Sequence, residues 1–208
     1  MLVIEAGLQL GKYGLIGGPE AVGWRIEMIR AFGFFDVVWE RMLQTQQIKV
    51  DWIWPFVTYP FVNLSPVSAL VGAAMIISIG AHLIREYSTL AFLVVFFVPT
   101  AAAAIAFGLA SQSPQPLLGP FPSLFGLLGL YTWNLWFEAK AKGKSPWGAF
   151  RLAGFLLAFQ LLRWLIFGQG KELVAEIAAL VVGGLLGLFV TQQGKELLRR
   201  LFRMVRRS

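Results

Sequence analysis

Five apolar runs, each close to the length of a membrane-spanning helix, constrain this chain more than any other feature. They fall at about 66–84, 88–110, 119–138, 148–168 and 171–192. As helix, roughly 20 residues match about 30 Å of hydrocarbon. In lipid every backbone N–H and C=O has to pair within the protein, which leaves helices or closed barrels. Barrel strands alternate apolar and polar residues over about 10 positions. These runs do not, so they predict a helical bundle. Only 14% of the 208 residues are charged, against about a quarter in soluble domains. The joins are short: Arg85-Glu86-Tyr87, residues 111–118, 139–146 and 168–170. One compact domain is expected.

Charge predicts the orientation, because loops rich in Lys and Arg stay on the cytoplasmic side. The 139–146 join carries Lys140, Lys142 and Lys144. The tail carries Lys195, Arg199, Arg200, Arg203, Arg206 and Arg207 against Glu196. Residues 111–118 have no charge, and Lys171 and Glu172 cancel. The tail, the 139–146 join and Arg85 are therefore expected in the cytoplasm, with the other two joins outside. The tail places Leu197, Leu198, Leu201, Phe202 and Val205 at helical spacing. A basic helix lying on anionic lipid is expected there. Net charge +7 is explained by this tail, and no second basic patch points to nucleic acid.

Residues 1–65 read differently. Residues 1–10 are apolar but too short to span, like a truncated first helix within residues 1–17. Either a fuller first span begins upstream or none exists. No basic segment precedes them as in a signal peptide. Residues 18–65 form an expected interfacial loop. Its stretch 21–43 mixes Trp24, Arg25, Glu27, Arg30, Asp36, Trp39, Glu40 and Arg41 with apolar residues, which suits a membrane surface. The core is then 66–192 and the tail 193–208. Cysteine is absent and histidine occurs once, as His82. Thiol chemistry is excluded, a single histidine argues against a His-based metal centre, and no cofactor is expected.

Three segments carry more than a generic bundle needs. Trp54-Pro55-Phe56-Val57-Thr58-Tyr59-Pro60-Phe61-Val62-Asn63 precedes the first run. Gly119-Pro120-Phe121-Pro122-Ser123-Leu124-Phe125-Gly126-Leu127-Leu128-Gly129 opens the third. Ala175-Glu176-Ile177-Ala178-Ala179-Leu180-Val181-Val182-Gly183, with Gly187 beyond, lies in the fifth. In this order they resemble the rhomboid intramembrane serine proteases over most of residues 50–190. The resemblance implies an all-α polytopic membrane protein: about five complete transmembrane helices, a truncated N-terminal helix and an amphipathic first loop. It also implies where the chemistry would sit. The rhomboid nucleophile of Gly-x-Ser-Gly falls on Phe121, and the glycine after it on Pro122. Pro55 and Asn63 replace an Arg and a His of the first segment. The oxyanion-holding His and Asn fall on Ser68 and Gly72. The catalytic His falls on Leu180.

Read from the residues alone, Gly126, Gly129, Ala175, Ala179, Gly183 and Gly187 form a small-residue seam between the third and fifth spans. Ser123 lies about 200° of helical rotation from position 121 and should point elsewhere. It is expected more than about 20 Å from His82, so no base reaches it. Pro122 reads either as a helix-start proline or as a rigid plug where substrate would bend. Arg163 and Glu176 lie at similar depth in the fourth and fifth spans. They are expected either to pair or to snorkel separately. Asn134, Gln160 and Ser78 are expected in interhelical hydrogen bonds.

The implied function is a pseudoprotease of a bacterial inner membrane that binds transmembrane helices of client proteins, with lipids as its other partners. The alternatives are a subunit of a larger bacterial membrane complex, or a residual serine endopeptidase. A solute transporter lacks support, because no inverted repeat or charged midplane site is present. Client identity and oligomeric state do not follow from the sequence.

Overall fold

A computed structural model describes the chain apart from residues 48, 111–114, 169–170 and 206–208. The side chains of Val22, Arg163, Phe167, Leu198, Arg200 and residues 201–205 are likewise outside the described set. The helices are α1 (Leu2–Lys12), α2 (Trp24–Phe32), α3 (Asp36–Thr45), α4 (Val50–Ile53), α5 (Pro55–Thr58), α6 (Pro66–Glu86), α7 (Thr89–Ala110), α8 (Phe121–Ala141), α9 (Arg151–Phe167), α10 (Lys171–Val190) and α11 (Gln192–Val205). Among the described residues the extended structure is one antiparallel bridge, Phe34 to Leu117.

Local chemistry sets the helix ends. Ser65 caps α6, its hydroxyl accepting the Ser68 N–H at 3.2 Å, and Pro66 follows where a missing N–H costs nothing. α9 stops at Gly168, whose φ of +69° is the left-handed cap that glycine favours. α6, α7, α10 and the stretch 146–166, which ends within α9, are long and apolar enough to cross a membrane.

α8 falls short of that criterion by composition, although its 21 residues are long enough. The reason is positional. Residues Pro122 to Leu130 are all buried within the protein, and the mostly half-buried second half carries Asn134 and the exposed Glu138 and Lys140. α8 is the central post of the bundle rather than a lipid-facing wall. α7, α10 and α6 surround it, and α9 stands at the edge. Of the described α9 side chains only Ala153 and Gln160 are buried.

The seam around α8 is built by removing side chains. A methyl group at Gly183 would lie 1.9 Å from the Gly126 carbonyl oxygen. One at Gly129 would lie 2.2 Å from the Leu180 oxygen. One at Gly126 would strike the Pro99 ring of α7 at 2.5 Å. The Trp133 ring fills the place of a side chain at Gly187, and Ala175 and Ala179 are fully buried on the same α10 face.

The first loop does more than lie on a surface. Phe34 and Leu117, both fully buried, exchange backbone hydrogen bonds at 3.2 and 2.7 Å. Phe34, Phe56 and Phe107 stack edge-on, with centroids 4.8 and 6.3 Å apart. Trp39 packs where a side chain at Gly108 would sit. Aromatic pairs of this kind add to the burial of their area, so Phe34, Trp39 and Phe56 clamp the first loop onto the end of α7.

Gly183→Ala is expected to destabilise the protein by about 2 kcal/mol, the cost of overpacking a tight contact. Gly154→Ala, with nothing within 4 Å, should be neutral or gain up to about 1 kcal/mol of helix propensity. Thermal unfolding of both variants in the same detergent checks this contrast.

Candidate functional site

Of the residues singled out by the motifs, Tyr59, Asn63, Gly72, Gly119 and Pro120 meet where the turn before α8 meets α6 and the segment before it. Gly119 has φ +84°, a conformation that costs glycine little. Its N–H donates to the carbonyls of Tyr59 (3.1 Å) and Val62 (3.0 Å). The turn that opens α8 is thereby tied to the Thr-Tyr-Pro-Phe segment 60 residues earlier.

The floor beside this turn is filled. A methyl group at Gly72 would lie 2.1 Å from Cγ of Pro120, so the proline ring occupies the space of any side chain at 72. Ser68 is half-buried, one turn earlier on α6, and its N–H is taken by the Ser65 cap. Asn63 is buried, and neither amide atom of its side chain has a hydrogen-bond partner. A β-carbon on Gly119 would sit 3.6 Å from Asn63 Oδ1. Pro122 is buried in the first turn of α8, a position that suits proline. Phe121 and Leu180 are half-buried apolar side chains.

Ser123 turns away from this floor. It is fully buried, and its hydroxyl lies 2.6 Å from Thr100 Oγ1 of α7. Thr100 Oγ1 in turn donates to the Phe96 carbonyl at 2.5 Å, and Tyr59 donates its hydroxyl to the Thr100 carbonyl at 3.2 Å. Burial first, and then the charge of Glu176, push the Tyr59 hydroxyl well above its ordinary pKa. It stays a donor and offers no base. His82 rests on the Tyr131 ring, with centroids 5.5 Å apart. Tyr131 lies eight residues beyond Ser123, or about 12 Å along α8. Among the described residues the hydroxyl partner of Ser123 is Thr100, and His82 pairs with Glu86, so nothing joins the two.

The intramembrane carboxylate is also placed. Glu176 is 1% exposed and accepts a hydrogen bond from Nε2 of Gln160, which joins α10 to α9. The expected partner, Arg163, has its side chain outside the described residues. Asn134 bridges α8 to the end of α6, donating to Glu86 at 3.2 Å and accepting from Tyr87. Among the described residues no side-chain hydrogen bond of Ser78 accompanies these. Of the tail cations, Lys195 and Arg199 are exposed. The side chains of Arg200 and Arg203, and Arg206 and Arg207 entirely, lie outside the described residues.

One pair escaped the sequence reading. Arg25 of α2 reaches Glu5 of α1 at 2.5 Å and donates to the Asn63 carbonyl at 2.6 Å. An acid among the apolar residues of α1 was its only signal. Burial raises the Glu5 pKa. The hydrogen bonds from Arg25 and Gln9, and the Arg25 charge, outweigh that and hold the carboxyl below its ordinary value of 4.5. A depressed pKa adds stability above the unfolded value that is lost as pH falls through the folded one. Arg25→Gln should cost roughly 3 kcal/mol at neutral pH, as breaking a buried pair does. It should also flatten the loss of stability below pH 4.5. Denaturation midpoints at pH 7 and at acid pH test both.

A family model described as Rhomboid domain matches residues 51–193. No curated protein and no solved structure matches the chain at a significant level.

Proposed function

The chain belongs to the rhomboid family, and we propose that it binds transmembrane helices of other membrane proteins without cutting them. The observation that carries this reading is the Pro120 ring seated against Gly72. In the family likeness, position 72 supplies an oxyanion donor, and catalysis of acyl transfer needs such a donor where charge develops. Here a proline ring fills the place, Phe121 stands at the nucleophile position and Leu180 at the base position. A nucleophile without a base in reach is not activated.

The rest of the scaffold is kept. The glycine seam of α8 and α10 is intact, and α9 stays at the edge of the bundle with Phe155, Phe159, Leu162 and Leu165 exposed. Lipid or another helix covers such a face. The gate of the family lies between the helices corresponding to α6 and α9, and this gap is the docking site for a client helix. The bond from Gln160 to Glu176 tethers α9 and sets how far the gap opens.

Proteoliposomes holding the full chain and a panel of fluorescent single-span helices test the proposal. Saturable binding with intact helices is expected, and Ser123→Ala should change neither. Fragments that disappear in Ser123→Ala would return the protein to the endopeptidases. Failure to bind any helix, with one partner at fixed stoichiometry after mild purification, would make it an assembly subunit.

We also infer a bacterial cytoplasmic membrane with the tail inside, from the lysines and arginines of the 139–146 join and the tail. A fluorescent protein fused after residue 208 should fold and fluoresce, and alkaline phosphatase inserted at 168–170 should be active. The opposite pattern inverts the orientation.

A further inference from the structure

The end of the bundle that carries α11 holds a cavity of about 700 Å³ that the helix-binding reading does not use. Arg85 and Glu86 of α6, Asn134, Glu138 and Lys140 of α8, and Gln193 of α11 line it. A second hollow of about 550 Å³ shares Glu86 and Gln193 and adds Lys195.

The charges here are sorted. Glu86 accepts hydrogen bonds from Asn134 and Tyr87, each at 3.2 Å, and its other contact is His82 Nε2 at 3.2 Å. Glu138 is held by Lys142 one turn later. Both carboxylates are engaged with neighbours of the bundle. Arg85 and Lys140 are exposed, and among the described residues neither has a carboxylate within ion-pair distance. Lys140 instead lies over the Trp136 ring, 5.3 Å from its centroid. The two cations stand on neighbouring helices of one cavity, which Gln193 of α11 also lines. Leu135 and Phe137 supply apolar wall beside them.

We propose that this cavity binds a phosphate-bearing anion between Arg85 and Lys140. Guanidinium and ammonium groups recognise phosphate oxygens by charge-assisted hydrogen bonds, and Gln193 adds a neutral donor. The site lies where membrane-spanning helices end, and its mixed lining suits a headgroup whose glycerol and chains continue along apolar wall. An anionic phospholipid is the ligand that meets both halves of the lining, and inorganic phosphate shares the chemistry of the polar half. The site depends on neither the loss of proteolysis nor a client helix.

Native mass spectrometry of the full chain in neutral detergent tests it, with phosphatidylglycerol and inorganic phosphate as the two probes. Each cation near an anionic headgroup contributes about fivefold in affinity, so Arg85→Gln with Lys140→Gln should weaken retention of phosphatidylglycerol about thirtyfold. The control pair Arg30→Gln with Arg41→Gln removes the same charge from the first loop and should leave retention unchanged. Retention that resists millimolar phosphate assigns the site to a lipid headgroup. Displacement by phosphate, with phosphate itself retained, assigns it to the soluble anion. Equal retention of both probes by wild type and the Arg85/Lys140 variant overturns the proposal, as does equal loss in the control pair.

Discussion

The backbone contact between Gly126 of α8 and Gly183 of α10 is the constraint on which the rest of this bundle depends. In lipid there is no water to drive apolar helices together, so association rests on packing and on how closely backbones approach. The space for a methyl at 183 is already taken by the Gly126 carbonyl oxygen, 1.9 Å from where it would sit. The same glycine meets the Pro99 ring from the other side. Pro99 cannot donate to the Val95 carbonyl one turn earlier, and that oxygen faces the place of a side chain at 126, 3.3 Å away. One residue without a side chain thus lets three helices share an axis of contact.

With α8 held at its middle, its start is placed without freedom. The two bonds from the Gly119 N–H orient the turn, and Pro120 comes to rest on α6. There its ring takes the place of any side chain at Gly72. This contact and the glycine seam are separable, because the seam is made by backbone and the contact by a side chain. Arg25 adds a further brace by holding the Asn63 carbonyl and Glu5 together, so α1 is fastened to the same corner.

What was legible in the sequence was local or periodic. Ser65-Pro66, Gly119 and Gly168 announce helix ends through backbone chemistry that needs no partner. The spacing of Ala175, Ala179, Gly183 and Gly187 marks one face of α10 by helical geometry alone. Contacts between distant segments were not legible. Gly72 could be read as a glycine, but the arrival of Pro120 depends on how α6 and α8 cross. The Thr100 partner of Ser123 likewise needs α7 to be placed first. Gln160 reads as an interhelical bond, but the sequence does not name its partner. That partner, Glu176, lies on α10, and their meeting depends on how α9 and α10 pack.

The modest apolarity of α8 has a consequence for synthesis. A segment with Asn134, Glu138 and Lys140 in its second half gains less from entering the bilayer than its neighbours do. α7 is made before it and presents Pro99 to Gly126. α10 emerges only after α9, some 30 residues beyond the end of α8. The post of the bundle therefore waits in the membrane half-covered, leaning on α7, until the last glycine face arrives. Insertion of this protein is for that reason a cooperative event between helices rather than a sum of independent ones.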